Sequence, residues 1–553
     1  MKKFALAIVV LSGIVAIGYH YRLELMLSAA PRIDDLRAPI DSNREVVWSQ
    51  GPDTATAPPA ERPPNVVVIV ADDMGFNDVS FYNGGAADGS LQTPHIDSIG
   101  RDGVAFSNGY AANAVCAPSR ASIMTGRYST RFGFEFTPFF KIGVSIFEAM
   151  AERDPSPLKL IVHRKEADAM KPLEENGMPP SEITVAEVLK TAGYQTAHIG
   201  KWHLGGIGDM RPEKQGFDDS LYLSGISYLP ADSPNVENAT QDFDPIDRMV
   251  WASMRYSTQF NGGHPFAPKG YLTDYYTDEA VKVIEANRNQ PFFLYLAHWG
   301  IHNPLQAKKE DYDALSHIQD HRMRVYAAMI TALDRGVGRV LDALRTNGLA
   351  DNTLVIFTSD NGGAGYLGLP DINKPYRGWK LTLFEGGTHV PFFARWPGHI
   401  APGTHYDMPV GHVDILPTVA AAAGATLSAD PAHAIDGVDV LPFVRGERTG
   451  APHETLFWRE GYHQAVLHDG WKLIESRRPD RKWLFHLTEN PTEHEDVAAA
   501  NPKVVAQLQA LLDAHNAEQA PPMWPSVIES PQLIDKTGAQ PYVEGDDYTY
   551  WPN

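Results

Sequence analysis

Five short apolar runs, rich in β-branched residues, are spaced along the first 400 residues of the chain. The first of them, from Asn65 to Val70, reads NVVVIV and contains no charged residue. Uninterrupted apolar runs of this length are typical of strands that are buried on both faces of a parallel sheet. The runs lie at residues 65–70, 194–200, 292–298, 354–357 and 390–395.

Helical patterns separate these runs. Thr184 and Glu187 have the spacing of a capping box, which predicts that a helix begins there. Apolar residues recur at helical spacing over residues 325–344, and the pattern ends at Asn347-Gly348, a typical helix C-cap. The alternation of strands and helices predicts an α/β fold with a large, mostly parallel or mixed central sheet flanked by helices.

The composition of the chain changes after about residue 440. Several runs with strand character (ETLFWRE, QAVLHDG, WKLIESRR and KWLFHL) follow one another closely, and a helical pattern covers residues 502–515. We therefore expect a main domain over residues 63–440 and a smaller C-terminal subdomain, an antiparallel sheet plus a helix, over residues 441–515. We expect the Pro-rich and aromatic tail, residues 516–553, to pack back on the body.

The N-terminus has the pattern of an export signal. Lys2 and Lys3 precede an apolar run over residues 4–19, so residues 1–22 are predicted to be a signal peptide or an uncleaved membrane anchor. The polar, Pro-rich residues 23–62 are predicted to be a linker. This pattern predicts an exported protein, periplasmic or extracellular, with a membrane tether as the alternative to cleavage.

Charge and cysteine content narrow the function further. The formal net charge of −21 disfavours nucleic acid and anionic lipid as partners. Cys116 is the only cysteine among 553 residues, so an exported chain could form no internal disulfide with it. A free thiol is a liability outside the cell. Cys116 must therefore be deeply buried or be converted to another group.

Polar residues follow several of the predicted strands. Ligands of open α/β sheets bind beyond the carboxyl ends of the strands, so we expect these residues to converge. Asp72, Asp73, Asp360 and Asn361 offer three carboxylates and one amide oxygen, which suit Ca²⁺, with Mg²⁺ as the alternative. The competing interpretation is that the two pairs are unrelated surface turns.

A basic set accompanies the acidic one. A divalent metal with several cationic donors around one small volume binds a tetrahedral oxyanion such as sulfate or phosphate. His298 and His412 are instead interpreted as structural. The expected donors are Arg120, Lys201, His203, His302 and Lys380.

The stretch around Cys116 carries a resemblance to a known family. Cys116-Ala-Pro118-Ser-Arg120, followed by Thr125-Gly126, resembles the signature of the type I sulfatases, with Met124 where Leu is commoner. The flanking stretches VADDMGFNDVSFYNG, GKWHLG, SDNGG and FEGGTHVPF are similar to the family's as well. The likeness covers about residues 63–515 and looks closest to the arylsulfatase B-like branch. It makes residues 63–440 a sulfatase catalytic domain.

This resemblance implies a chemistry for the lone cysteine. In such proteins a formylglycine-generating enzyme, which reads Pro118 and Arg120, converts the motif cysteine to formylglycine, hydrated to a geminal diol. One diol oxygen of residue 116 would attack sulfur. The metal ligands implied are Asp72, Asp73, Asp360, Asn361 and residue 116 itself.

The remaining roles also follow from the resemblance. Arg120 would orient the diol, and Lys201 and Lys380 would bind the sulfate oxygens. His302 and Lys380 would stabilise the leaving oxygen or donate a proton to it, and His203 would take the proton of the second diol hydroxyl. A serine is expected at the site, but Ser224 and Ser227 fit equally.

Three functions remain open at this point. The first is a sulfuric ester hydrolase acting on a small aryl sulfate or a sulfated sugar. The second is a phosphonate or phosphate diester hydrolase of the same superfamily, and the third is a non-catalytic protein that binds a sulfated ligand. Residues 226–272, a long insertion, contribute either a pocket wall or a shield for the sheet. The aromatic residues that could form that wall are Tyr228, Phe243, Trp251, Tyr256, Phe260 and Phe266.

Overall fold

A computed structural model describes residues 21–27, 36, 38–139 and 141–553. It confirms the predicted fold class, because a nine-stranded mixed sheet with helices on both faces forms the centre. In chain order the strands are β1 (Asn65–Ala71), β2 (Val104–Phe106), β3 (Gly109–Tyr110), β4 (Ile161–Val162), β5 (Gln195–Gly200), β6 (Asp219–Leu223), β7 (Val236–Ala239), β8 (Thr258–Phe260), β9 (Phe292–Ala297), β10 (Leu305–Lys308), β11 (Thr353–Ser359), β12 (Phe392–Arg395), β13 (Thr404–Tyr406), β14 (Val410–Gly411), β15 (Thr455–Glu460), β16 (His463–His468), β17 (Trp471–Arg477), β18 (Asp480–His486), β19 (Ile528–Leu533) and β20 (Tyr548–Pro552).

The α-helices cover both faces of the central sheet and part of the C-terminal sheet. A helical segment at residues 22–27 precedes them. In chain order they are α1 (Pro94–Arg101), α2 (Cys116–Thr125), α3 (Lys141–Ala151), α4 (Arg164–Ala169), α5 (Val185–Thr191), α6 (Pro245–Ala252), α7 (Leu272–Ala286), α8 (Lys309–Ala314), α9 (His321–Thr346), α10 (Glu385–Thr388), α11 (Ile415–Ala423), α12 (Leu441–Val444) and α13 (Pro502–Ala517).

The middle of the central sheet is parallel. Its strand order is β13-β2-β12-β11-β1-β9-β5-β6-β8, and the pairs from β11 through β6 all run in parallel. The antiparallel pairs are β11–β12, β12–β2 and β6–β8, toward the edges. Because β11, β1, β9 and β5 are parallel neighbours, their carboxyl ends share one edge of the sheet. That edge is where the predicted polar residues must meet.

The strands of this sheet separate two apolar cores. In β1, Val67 and Ile69 pack into one core with residues of α7 and α9. Val66 and Val68 point the opposite way, into a second core with residues of α2, α5 and α11. Alternate side chains of a strand face opposite sides of the sheet, so a continuous apolar run buries both faces.

Two helix boundaries that the sequence predicts are present. Thr184 Oγ1 accepts a hydrogen bond from the Glu187 backbone N–H, and the Glu187 carboxylate accepts one from the Thr184 N–H. This reciprocal capping box begins α5. Helix α9 ends at Thr346, one residue before Asn347, and Gly348 has a positive φ of 67°.

The C-terminal region also has the predicted architecture. Strands β15 to β18 form a four-stranded antiparallel sheet, and α13 packs on it through Leu508 and Leu512. Beyond this sheet, β19 and β20 pair with each other and β19 pairs with β4. The residues of the tail therefore lie against the body, and Trp551 is buried in the main core.

The N-terminal region is described only in part. The predicted anchor at residues 4–19 lies outside the described residues. Among the residues that are described, no helix is both long and apolar enough to cross a membrane. Part of the segment predicted to be a linker packs on the main domain, because Val46 and Trp48 are buried in its core. The indole N–H of Trp48 donates to Glu279 Oε2 at 2.8 Å.

Candidate active site

The carboxyl edge of the central sheet gathers the residues that the sequence predicts. Strands β1 and β11 are in register up to their last residues, Ala71 and Ser359, so the side chains that follow them are neighbours. Strands β5 and β9 are likewise in register up to Gly200 and Ala297. The residues delivered there are Asp72 and Asp73 after β1, Lys201 and His203 after β5, His302 after β9, and Asp360 and Asn361 after β11.

Close backbone packing fixes this edge. Gly200 has a φ of +106°, and a Cβ at this position would lie 1.9 Å from the carbonyl oxygen of Ala297. No other residue fits there without moving β5 away from β9. Asp73, His203 and Leu381 have φ values of 60°, 63° and 74°, which are uncommon for residues with a side chain. Such strained residues concentrate at functional sites.

Three buried carboxylates at this edge are matched by three buried cations. A buried charge is costly unless it is paired, so each member of this set depends on the others. Arg120, the fifth residue of the signature, is completely buried. The ion pairs are Lys201 Nζ to Asp72 Oδ2 at 2.7 Å, Lys380 Nζ to Asp73 Oδ1 at 2.7 Å, and Arg120 Nη2 to Asp360 Oδ2 at 2.8 Å.

The three carboxylates differ in their pKa values. Burial raises the pKa of Asp72 to about 7, and the nearby Asp360 charge adds to this. Burial acts the same way on Asp73, but the Lys380 ammonium outweighs it and the pKa of Asp73 lies below its usual range. The pKa of Asp360 is also lowered, because the Arg120 guanidinium outweighs burial. Asp72 is the carboxylate whose charge is least compensated by the protein itself.

Cys116 is the first residue of α2, at the positive end of the helix dipole. Its Sγ lies 3.5 Å from Asp72 Oδ1, 3.6 Å from Asp73 Oδ1 and 3.2 Å from Lys380 Nζ. Burial raises the pKa of the thiol well above its usual value. A thiol with a raised pKa is a poor nucleophile. Cys116 therefore occupies the centre of the site in a form that is not itself reactive.

The residues present fit a divalent cation. One ligand atom from each of Asp72, Asp73, Cys116 and His302 lies within 4.8 Å of the others. Asn361 donates from Nδ2 to Asp73 Oδ1 at 2.8 Å, and its Oδ1 is buried with no hydrogen-bond partner. An orphaned buried carbonyl beside carboxylates suits a hard cation such as Ca²⁺ or Mg²⁺. The structure places His302 next to the predicted metal ligands. It also shows that Asp360, one of those ligands, forms an ion pair with Arg120.

Both histidines of the predicted set lie at the site. His302 donates from Nδ1 to the Asn303 carbonyl at 2.6 Å, so its Nε2, 3.6 Å from Asp73 Oδ2, is the ring nitrogen that faces the carboxylates. Burial lowers the pKa of His302 to about 3. It also lowers the pKa of His203, and the Lys201 charge lowers it further. The two rings are therefore neutral and can accept a proton.

Several contributors were not predicted from the sequence. The hydroxyl of Tyr366 donates to Asp73 Oδ2 at 3.1 Å. The ring of Trp299 stacks on His302 at 4.1 Å between centroids, and Lys201 Nζ lies 4.9 Å from the centre of the same ring. Tyr228 Oη lies 2.8 Å from the carbonyls of Trp299 and His302, which holds this loop in place. None of these residues belongs to a sequence motif. The one feature of the sequence that points to Trp299 is its position between strand β9 and His302.

The remaining predicted residues lie away from the chemistry. His298 is fully buried, and burial lowers its pKa to about 4. His412 is hydrogen-bonded to Ser119 Oγ at 2.9 Å and to Thr358 Oγ1 at 3.1 Å, so it joins α2 to β11 as a packing element. Ser224 pairs with Ser257 at 3.1 Å, and neither it nor Ser227 lines the cavity described next.

A cavity of about 430 Å³ opens beside Cys116. Lys201, His203, His302 and Lys380 all line it, so the predicted donors face the same space. The insertion over residues 226–272 does contribute to its wall, but with Ile226, Met249 and Val250. The six aromatic residues singled out in that insertion do not line it. Tyr228 and Phe266 are fully buried in the core instead, and Phe243 lines a neighbouring cavity.

The fold and the site define a class of protein. Carboxylates for a divalent cation, cations for an oxyanion and a residue at a helix N-terminus, all at the carboxyl edge of a mixed α/β sheet, describe a metal-dependent hydrolase of anionic esters.

Comparison with known proteins makes this class specific. The family described as "Sulfatase" matches residues 64–425, and the chain belongs to that family. It is similar to steryl-sulfatase of Mus musculus, 33% identical over 488 residues that cover 76% of this chain and 72% of the relative. It is also similar to N-acetylgalactosamine-6-sulfatase of Homo sapiens, 34% identical over 393 residues, 69% of this chain and 66% of the relative.

The solved structures agree with this membership. A crystal structure of Ps i-CgsB in complex with k-i-k-neocarrahexaose matches with a TM-score of 0.69 and 29% identity, over 84% of this chain and 95% of that one. The family and these relatives identify the chain as a sulfuric ester hydrolase, and Cys116 belongs to the cluster of side chains that could hold a metal ion.

Proposed function

We propose that this sulfatase cleaves sulfate monoesters through a formylglycine made from Cys116, with Ca²⁺ as its metal and Mg²⁺ as the alternative. The observation that carries the proposal is the position of Cys116. It begins helix α2, within 3.6 Å of two carboxylate oxygens and 3.2 Å of an ammonium. A formylglycine-generating enzyme would act on the signature during maturation, before Cys116 becomes buried.

Two groups absent from the polypeptide as translated supply part of the chemistry. A hydrated aldehyde at position 116 would supply a hydroxyl nucleophile. Asp72, Asp73, Asp360 and Asn361 would hold the divalent cation, which would supply positive charge to the sulfate group and to that hydroxyl. The buried and unpartnered Oδ1 of Asn361 supports its place in this ligand set.

The chain's own residues then bind and orient the ester. Lys201 and Lys380 both line the cavity that Cys116 lines, which suits them to hold sulfate oxygens. Arg120 donates from Nε to Asp360 Oδ2 at 2.8 Å and from Nη1 to the Lys201 carbonyl at 3.2 Å. It therefore orients both the metal-binding carboxylate and the loop that carries Lys201.

Proton transfer falls to the two histidines and Lys380. His203 is neutral and lines the cavity, so it can take a proton from the hydrated residue 116. The pKa of Lys380 lies well above its usual value: burial opposes this, but the Asp73 charge outweighs it, so Lys380 carries a proton. Lys380 would donate a proton to the oxygen of the departing alcohol, and His302 would assist when its Nε2 carries a proton.

The substrate range is proposed to include small aryl sulfates and sulfated sugars. A structural neighbour was solved with a neocarrahexaose, which supports a sulfated sugar as one candidate. The signature and its flanking stretches support placement on the arylsulfatase B-like branch. Lys2, Lys3 and the apolar run behind them support export to a periplasmic or extracellular location, with a membrane tether if the segment is retained.

One experiment tests the proposal against its alternatives. Purified protein is assayed on nitrophenyl sulfate and on bis(nitrophenyl) phosphate, and the residue at position 116 is identified by peptide mass spectrometry. We expect aldehyde at position 116 and a strong preference for the sulfate ester. Cys116→Ala should lose turnover, and the control Met124→Leu, which restores the commoner signature residue, should keep it.

Other outcomes would overturn the proposal. A preference for the phosphate diester would assign the phosphodiesterase alternative. Full activity with an unmodified thiol would remove formylglycine from the mechanism. Absence of turnover on both esters in protein that carries the aldehyde would favour a ligand-binding role.

A further inference from the structure

The cavity beside Cys116 is charged at one end only. Lys201, His203, His302 and Lys380 line the end next to Cys116, where the sulfate group must lie. Among the described residues, the lining of this cavity includes no aspartate, glutamate or arginine. Lys201 and Lys380, the charged side chains of this lining, are therefore already assigned to the sulfate, and the two histidines are assigned to proton transfer. What remains of the lining must contact the alcohol half of the ester.

That remaining wall is apolar and comes from distant parts of the chain. Phe139 lies between β3 and α3, and Phe147 lies on α3. Met249 and Val250 lie on α6, and Trp551 lies on β20. Side chains of α3 and α6 also pack on one another in a common apolar cluster, and this packing holds the two helices in place at the cavity wall. Three separate segments each place apolar side chains at this cavity. Their convergence indicates that the apolar wall is a ligand-binding surface and not an incidental gap between elements.

Few polar side chains interrupt this surface. Asn176, Thr137 and Asn553 are among them. Asn553 Oδ1 accepts a hydrogen bond from the Thr137 backbone N–H at 2.7 Å, whereas Thr137 Oγ1 and Asn553 Nδ2 have no hydrogen-bond partner among the described residues, so this wall offers a ligand only a few polar anchors. A ligand pocket with mostly apolar lining and a few polar groups suits a ligand that is itself mostly apolar. Trp551 donates its indole N–H to Glu460 Oε1, away from any ligand.

We propose that the alcohol half of the natural substrate is an uncharged, apolar ring system larger than a single phenyl ring, such as a fused-ring aryl or alicyclic alcohol. This inference rests on the proposed sulfatase function and narrows its substrate class. A volume of about 430 Å³ lies within the range that encloses a drug-sized molecule, well beyond one phenyl ring.

The same surface favours the aryl sulfates of the proposed substrate range over its sulfated sugars. Each hydroxyl of a sugar loses hydrogen bonds to water when it is buried, and an unpaired hydroxyl costs about 1–3 kcal/mol. The lining offers very few side chains to replace those bonds. The adjoining cavity of about 780 Å³ does contain polar side chains, including Lys536, on the far side of Phe147 and Tyr366. A long sulfated saccharide would need that second cavity.

Binding to a non-turnover form of the full-length protein separates recognition from the chemistry of the leaving group. Dissociation constants are measured by calorimetry on Cys116→Ala, loaded with Ca²⁺, for naphthyl sulfate, phenyl sulfate and glucosamine 6-sulfate. All three carry one sulfate ester, so differences arise from the alcohol half. We expect naphthyl sulfate to bind about tenfold more tightly than phenyl sulfate, and the sugar to bind most weakly.

Two wall variants test where the alcohol binds. Met249→Gln and Val250→Thr keep the side-chain volume close to the original but add a polar group to the wall. Each should weaken binding of naphthyl sulfate about tenfold, without a matching loss for glucosamine 6-sulfate. Lys536→Gln, which changes a side chain in the adjoining cavity only, is the control and should leave naphthyl sulfate unaffected.

The outcomes separate this inference from the function on which it rests. If wild-type protein hydrolyses glucosamine 6-sulfate best, the sulfatase function stands and the apolar substrate class is wrong. If both wall variants bind naphthyl sulfate as the parent does, or if Lys536→Gln weakens it, the alcohol lies elsewhere. If the wild type carries the aldehyde but hydrolyses no sulfate ester, the proposed function itself fails.

Discussion

Lys472 is a buried cation that joins the C-terminal subdomain to the main domain. Its Nζ lies 2.7 Å from Glu385 Oε1 and 3.1 Å from Glu493 Oε1, and its side chain is 0% exposed. Glu385 also contacts His389 Nδ1 at 2.8 Å and the Tyr110 hydroxyl at 3.0 Å. Lys472→Met keeps the length of the side chain and removes its charge, so it leaves two buried carboxylates without their ammonium.

The structure predicts how much folding stability Lys472→Met loses and how that loss depends on pH. Removing one partner of a buried ion pair costs about 3–5 kcal/mol, because the other charge stays buried and uncompensated. Burial alone would raise the pKa of Glu385, but Lys472 outweighs it and lowers that pKa to about 2. In Lys472→Met this pKa should rise above its value in the unfolded chain. The folded variant would then bind a proton more readily than the unfolded variant, so its stability falls as pH rises.

Thermal unfolding, followed by tryptophan fluorescence at pH 5 and at pH 8, measures the loss of stability in Lys472→Met and its dependence on pH. For a chain of this length, 4 kcal/mol corresponds to a shift in Tm of about 3 °C. We expect the deficit of Lys472→Met to be largest at pH 8 and to shrink at pH 5. Lys482→Met on the adjacent strand is the control, because its side chain is 42% exposed and its ion pair with Glu475 lies at the surface. Equal Tm values for Lys472→Met and wild type at pH 8, or a larger deficit at pH 5, would refute the reasoning.

Three further predictions concern the site and its support. Asp360→Ala should lose metal and turnover together, so metal content near the wild-type level in an inactive variant would remove Asp360 from the ligand set. His203→Ala should lower kcat at least about 100-fold while leaving the affinity for substrate close to that of the parent, because His203 is assigned a proton and not a sulfate oxygen; a rise in KM alone would contradict this. Removing the metal with a chelator should weaken binding of inorganic sulfate, measured by calorimetry, whereas unchanged binding would show that the lysines suffice.

The location of the site could be predicted from the sequence because it depends on local patterns. The run that ends at Ala71 predicts a buried strand, and two aspartates directly after such a strand must lie at the carboxyl edge of the sheet. The signature at Cys116 has a fixed spacing that specifies a helix start. Such features need only neighbouring residues, so a single sequence contains them.

The walls of the cavity could not be predicted in the same way. Met249 and Trp551 are about 300 residues apart in sequence and meet only because the segment at residues 137–147, the insertion at residues 226–272 and the tail converge on one surface. Tyr228 illustrates the same limit: the sequence left open whether the aromatic residues of its insertion line the pocket or shield the sheet, and in the structure its ring packs in the core while its hydroxyl supports the His302 loop. Composition cannot separate an aromatic residue that lines a pocket from one that packs behind it.

The charge balance of the site explains why metal binding and sulfate binding should depend on each other. Three buried carboxylates face three buried cations, so the protein's own charges cancel at this edge of the sheet. The protein as a whole carries a net charge of −21, which opposes the approach of any anion. A divalent cation among the carboxylates would leave the site with a surplus of positive charge, and a sulfate monoester brings one negative charge. The lysines paired with Asp72 and Asp73 would then no longer be needed to neutralise those carboxylates and would be available to the sulfate oxygens.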